Sequence, residues 1–198
     1  GSWAYDQLWP TPTSMNSDMF LSLLGMHNTV EKYVQIFKTH QGTIKPPGKS
    51  YDLHPGYYAS PNYLTSIDWL ADHGAVLLQV ATHALMSGDQ SFIEEWTESI
   101  VKACDFIKDA CAKKGHDGVE GLMPAAVATD DMIPTQSIWN LAWNYKGLTK
   151  AVQLLEKINH PRAASFKSFA NQYKATFVKA FREAAAKAPK WKDANGKE

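Results

Sequence analysis

Three acidic side chains in one predicted loop, Glu120, Asp130 and Asp131, are the residues whose type and spacing best suit chemistry. Paired carboxyl groups do acid–base work, one protonated to assist a leaving group and one ionised to activate water or attack directly. Asp130 and Asp131 stand just upstream of a predicted helix N-terminus, where the helix dipole stabilises negative charge, and adjacent carboxylates raise one another's pKa. The competing reading of any one of them is a capping or turn residue. Asp68 and Asp72 form a second pair, one helical turn apart on a helix with no other formal charge, so both point along one side. Buried there, they need partners: either the hydroxyls of a ligand or a helix cap and an internal hydrogen bond. His73 follows Asp72 directly and reads as a core or rim histidine as readily as a binding one.

A further group suits binding. Trp139 and Trp143 repeat at one helical turn, as do Asn140 and Asn144, a mixture of flat apolar surface and amide donors expected of a small-molecule pocket. Aromatic residues at helical spacing also serve as core, the reading favoured for Trp143. His54, Tyr57 and Tyr58 lie in a loop rich in Pro and Gly (Pro46, Pro47, Gly48, Pro55, Gly56), where exposed aromatics point to ligand contact and folded-back ones to a loop packed on itself. The histidines are scattered, with no H-E-x-x-H spacing, so neither a metal nor a cofactor is expected.

The elements that must position these residues are all helices. Over 90–114, Ile93, Trp96, Ile100, Cys104, Ile107 and Cys111 recur at three- and four-residue steps between charged residues, which predicts an amphipathic helix. The same pattern appears over 161–187 as Phe166, Phe169, Tyr173, Phe177, Phe181 and Ala184, with Pro161 suited to the first turn. It appears again over 28–40 as Val30, Tyr33, Val34 and Phe37, with Asn28 and Glu31 in capping-box spacing. Segments 14–24, 64–86 and 136–158 are helices of another kind, the first carrying only Asp18, the second apolar all round and the third nearly uncharged in its first half, Ser137 to Tyr145, and so they read as inner helices. Their alternation predicts antiparallel hairpins with inner and outer helices. Links within pairs are short and those between pairs long, 41–62 and 115–135, so the long loops gather at the N-terminal ends of the inner helices. With the lead-in Trp3, Tyr5 and Trp9 they form one working face; residues 189–198 read as a frayed polar tail.

Composition narrows the partners. Twenty basic and twenty acidic residues balance, with no dense cationic block, so no nucleic acid is expected. No apolar run approaches the roughly 20 residues needed to span a bilayer, so no membrane is expected. Cys104 and Cys111, seven apart on one helix, stand too far apart for a disulfide.

The run Asp68-Trp69-Leu70-Ala71-Asp72-His73-Gly74, with Ser87-Gly88-Asp89, Cys104-Asp105-Phe106-Ile107, Gly121-Leu122-Met123-Pro124, Asp130-Asp131, Ser137-Ile138-Trp139-Asn140 and Lys146-Gly147-Leu148, resembles the six-hairpin glycosidase superfamily. The resemblance covers nearly the whole chain through loose motifs. It implies an all-α fold of antiparallel helical hairpins forming a partial (α/α) toroid, about half of a six-hairpin barrel, completed by the remainder of a longer chain or a second copy. It implies a glycoside hydrolase acting on a carbohydrate substrate, with Asp131, Asp130 and Glu120 as candidate acid and base groups. Asp68, Asp72, His73, Trp139, Asn140, His54, Tyr57 and Tyr58 are then candidate sugar contacts. Two alternatives stand beside it. One is a prenyl or terpenoid cyclase on an α/α toroid; the other is a non-catalytic helical-repeat scaffold.

Overall fold

The computed structural model describes residues 9–58, 69–128, 130, 132–192 and 194–197. Asp68, Asp131, Trp3 and Tyr5, singled out above, lie outside them. The fold is all-α: among the described residues the helices are α1 (Pro10–Asn16), a π-helical turn (Ser17–Leu21), α2 (His27–Thr39), α3 (Leu70–Ser87), α4 (Gln90–Ala112), α5 (Ile138–Lys157) and α6 (Ala163–Lys187).

α1 begins four residues before the expected 14, with Pro10 in its first turn, where a missing N–H costs nothing. The capping box expected of Asn28 and Glu31 does not form. Helix α2 starts at His27 without a side-chain cap, and Glu31 turns instead to the buried His83, Oε1 to Nε2 at 3.1 Å. Pro161 precedes the helix rather than opening it, since α6 starts at Ala163. Each short link contains one residue in the left-handed region, Gly25, Gly88 and Asn159, which stops the helix before it.

The amphipathic stripes bury as spaced. Ile93, Trp96, Ile100, Cys104, Ile107 and Cys111 all enter the core, and both cysteines are free thiols. On α2, Val30, Val34 and Phe37 are buried while Tyr33 is not. The α6 stripe is sealed at Phe166 and Tyr173 but runs out to solvent by Phe181 and Ala184, beyond the reach of the helices beneath.

α3 is buried along nearly its whole length because helices surround it. Thr11 bonds Asp72, Ser14 bonds the Ala75 carbonyl and Ser17 receives the Gln79 amide, so both chains ascend together and α1 runs parallel to α3. On the other side Ala71 meets Asn140, and Gly74 meets Gly147, so α5 is parallel to α3 as well. Helix α6 returns against α5, with Tyr173 at Leu141 and Lys167 at Glu156. The starts of α1, α3 and α5 thus lie at one end of the molecule. The long loops meet there: Val127 N–H donates to the Pro47 carbonyl, Leu70 N–H to the Val127 carbonyl, and the Tyr51 hydroxyl to the Pro124 carbonyl.

Candidate functional site

Three buried polar side chains hold the common end together. The Asp72 carboxylate accepts from the Thr11 hydroxyl (2.8 Å) and N–H (3.3 Å) and from the Trp69 N–H (3.3 Å), which fastens the first turns of α1 and α3. Asn140 accepts from the Ala71 N–H (3.0 Å) and donates to the carbonyls of Ala126 and Val127, joining α5, α3 and the loop between α4 and α5. Asn144 donates to the Leu70 and Asn140 carbonyls. Asp72 and Asn140 are therefore brought into the predicted face, but as its fasteners, with their polar atoms turned to protein groups.

The loop aromatics are likewise turned inward. Tyr57 and Tyr58 are fully buried and both stack on His73, at 5.6 and 5.5 Å. His73 accepts from the Tyr58 N–H and lies 3.1 Å from the Ala103 carbonyl, a pairing that requires the proton on Nε2. Burial drives its pKa down to about 3, so the ring is neutral. The Tyr58 hydroxyl lies 2.5 Å from Ser99 Oγ, which donates to Gln41 Oε1, so Tyr58 is the donor in that pair. Burial raises the Tyr58 pKa. His54 accepts from the Gly56 N–H and lies 3.3 Å from Asp109 at the surface.

The acidic candidates separate. Glu120 is exposed and bound to Lys114 at 2.9 Å; that hydrogen bond, with the Gly115 N–H, holds its carboxyl below the usual range and so ionised. Asp130 is exposed at the tip of a loop closed by the antiparallel bridge between Ala126 and Thr135. It is not at a helix cap: Ser137 caps α5 by accepting from the Asn140 N–H. The sequence places Asp131 beside it, and Met132 follows with φ of 59°, a left-handed conformation that costs a non-glycine residue roughly 1–2 kcal/mol. Backbone strain of this kind collects at functional sites.

Around this end stand four indoles. Trp9 meets Trp69 edge-on at 5.5 Å, at the starts of α1 and α3, and Trp139 meets Trp143 edge-on at 5.7 Å on α5. Trp139 is 43 % exposed. The Trp69 indole N–H is buried without a hydrogen-bond partner among the described residues.

Sequence reasoning passed over the acidic residue with the most altered environment. Asp18, on the π-helical turn, has its pKa pushed up to about 7 by burial, partly offset by the Thr82 hydroxyl and by Lys150 and Lys146. The one available signal was its isolation as the single charge on an otherwise uncharged helix. Its level on the fold, beside Thr82 of α3, follows only from the parallel packing of α1 and α3. Among the described residues, no group of three or more His, Cys, Asp or Glu is placed to hold a metal ion. No described helix is long and apolar enough to cross a membrane.

No protein-family model, curated protein or solved structure matches the chain.

Proposed function

We propose that the three hairpins are part of an (α/α) toroid and that the side shared by α1, α3 and α5 binds carbohydrate as the substrate of a glycoside hydrolase. The observation that carries this reading is the Trp139–Trp143 pair, half open to solvent on a helix whose start is pinned by Asn140 and Asn144. Indole faces held rigidly beside a row of parallel helix N-termini suit the apolar faces of pyranose rings, and stacking needs no deep pocket. In the proposed reaction, Asp130 at the loop tip and Asp131, its neighbour in sequence, supply the acid–base carboxylates, since Glu120 is neutralised by Lys114 and Asp72 is committed to Thr11 and Trp69.

Closure into a toroid is supported by the edge formed by the first hairpin. Met15, Phe20, Leu23, Leu24 and Met26 are all exposed within twelve residues, Leu24 at 73 %, a density of apolar surface that marks an interface. Further hairpins or a second copy would cover it.

The test is quenching of tryptophan fluorescence by a panel of oligosaccharides, with Trp139→Ala as the control. Saturable quenching that weakens about tenfold or more in the variant is the expected result. No response across the panel would remove the carbohydrate reading. In a form of the protein that turns over substrate, Asp131→Asn should abolish turnover without loss of helical signal; full activity would take the acid–base role away from Asp131.

A further inference from the structure

We propose that a second copy of this chain covers the bend of the first hairpin, the same apolar patch on each copy meeting the other across a two-fold axis. The bend lies at the end of the molecule away from the starts of α1, α3 and α5, so the inference does not depend on the carbohydrate reading. It chooses between the two ways of covering that edge.

The patch is built by the turn itself. Between α1 and α2 the chain passes through the π-helical turn and a short link whose backbone is closed by its own hydrogen bonds. Leu24 N–H donates to the Phe20 carbonyl at 2.9 Å, Gly25 N–H to the Ser22 carbonyl at 3.1 Å and Met26 N–H to the Leu21 carbonyl at 2.8 Å. Ser17 and Ser22 are buried, which leaves Phe20, Leu23, Leu24 and Met26 outward, Leu23 at 67 % exposure. These side chains cannot turn inward without breaking the hydrogen-bonded bend, so the apolar surface is already ordered before a partner arrives. Covering an ordered surface costs little further conformational freedom.

Area sets the scale of the partner. With Met15, the five side chains expose on the order of 600 Å², the top of the range for the largest apolar patch on an ordinary monomer. Two such patches face to face withdraw about 1,200 Å² from water, the size at which specific dimers begin.

Charge selects a copy of the chain. From Met19 to Val30 no residue carries a formal charge, and from Pro10 to Glu31 there is no Lys or Arg. The two acidic residues of that stretch are engaged elsewhere: Asp18 is half-buried on the π-helical turn and Glu31 is bound to the buried His83 at 3.1 Å. A stretch without cations does not draw anionic headgroups or an acidic segment. An uncharged patch does, however, meet its own image without like-charge repulsion. A two-fold contact uses every exposed side chain twice and closes at two copies, and Met15 and Met26 are flexible enough to fit between the opposing leucines.

The test is sedimentation velocity on the intact chain from about 1 to 200 µM. A monomer–dimer equilibrium with a micromolar or tighter Kd, and no larger species, is the expected result. The double variant Leu23→Asp, Leu24→Asp alters two side chains that already face water. It is expected to weaken the dimer by about a hundredfold or more while the circular dichroism and urea midpoint stay unchanged. A wild-type chain that is monomeric throughout would overturn the proposal and leave the edge to further hairpins. A dimer that survives the double variant would overturn it as well, because its interface would lie elsewhere. Co-sedimentation of a monomer with phosphatidylcholine vesicles, lost in the double variant, would assign the patch to a lipid surface instead.

Discussion

Gly74 and Gly147 bring the backbones of α3 and α5 into direct contact. A Cβ on Gly147 would stand 2.4 Å from the Gly74 carbonyl oxygen, and one on Gly74 would stand 2.4 Å from the Trp143 carbonyl and the Asn144 nitrogen. No side chain can occupy that crossing, and it sets the rotation of α5 that presents Trp139, Trp143, Lys146 and Lys150 along one side. Gly147→Ala is expected to cost about 2 kcal/mol, because forced backbone separation outweighs the helix-propensity gain of alanine. A lower urea midpoint at unchanged slope would report it. A midpoint at or above the wild-type value would mean that the helices part without cost.

Asp18 makes stability depend on pH in a definite sense. Its folded pKa, about 7 against an ordinary 3.8, is raised, so its favourable contribution is complete below about pH 4 and lost as pH climbs through 7. Asp18→Asn removes the carboxylate that burial penalises. The variant should gain on the wild type progressively from pH 4 to pH 7, by on the order of 2–4 kcal/mol at the plateau. Parallel curves for the two proteins would contradict it.

His73 works in the opposite direction. Its folded pKa, about 3 against 6.5, is lowered by burial, so the stabilisation it carries is complete above pH 6.5 and lost as pH falls toward 3. In the wild type this loss is masked between about pH 4 and 6.5 by the opposite slope from Asp18. In the Asp18→Asn background it should emerge as a loss of about 1.4 kcal/mol for each pH unit below 6. Urea midpoints at pH 7, 6 and 5 in that variant are the measurement, and a flat series would sink the assignment.

The buried chain from Tyr58 through Ser99 to Gln41 ranks two substitutions. Tyr58→Phe leaves Ser99 still donating to Gln41 and should cost about 1 kcal/mol. Ser99→Ala removes the donor to Gln41 Oε1 and one of the two partners of the Tyr58 hydroxyl, and should cost about 2 kcal/mol. Reversal of that order in chemical denaturation would show that the hydroxyls are not connected as described.

Much of the helical framework is legible in the chain. The three- and four-residue apolar steps of α4 and the lone left-handed residues in the short links are local properties, enforced by helix geometry and the absence of a Cβ clash at Gly25 and Gly88. The scarcity of charge on α3, where Asp72 is the one formal charge, likewise announced its burial, since an unpaired charge inside is costly. The misplaced features are those where a local signal competes with a distant partner. Glu31 has capping-box spacing, yet His83, 52 residues away, takes its carboxylate.

The site divides along the same line. Residue types and helical periodicity by themselves determined that Trp139 and Trp143 share a side of one helix and that Asp130 sits in a long loop before it. Whether a polar or aromatic side chain meets solvent or protein was decided by tertiary structure alone. Tyr57 and Tyr58 became core because both stack on the buried His73, Asp72 and Asn140 became fasteners because helix starts converge on them, and Asp18 came to be largely buried. The reason is physical: periodicity specifies direction around one helix axis, whereas burial and charge environment depend on which other helix lies in that direction, and at Gly74 and Gly147 that choice is made by two hydrogens in place of side chains.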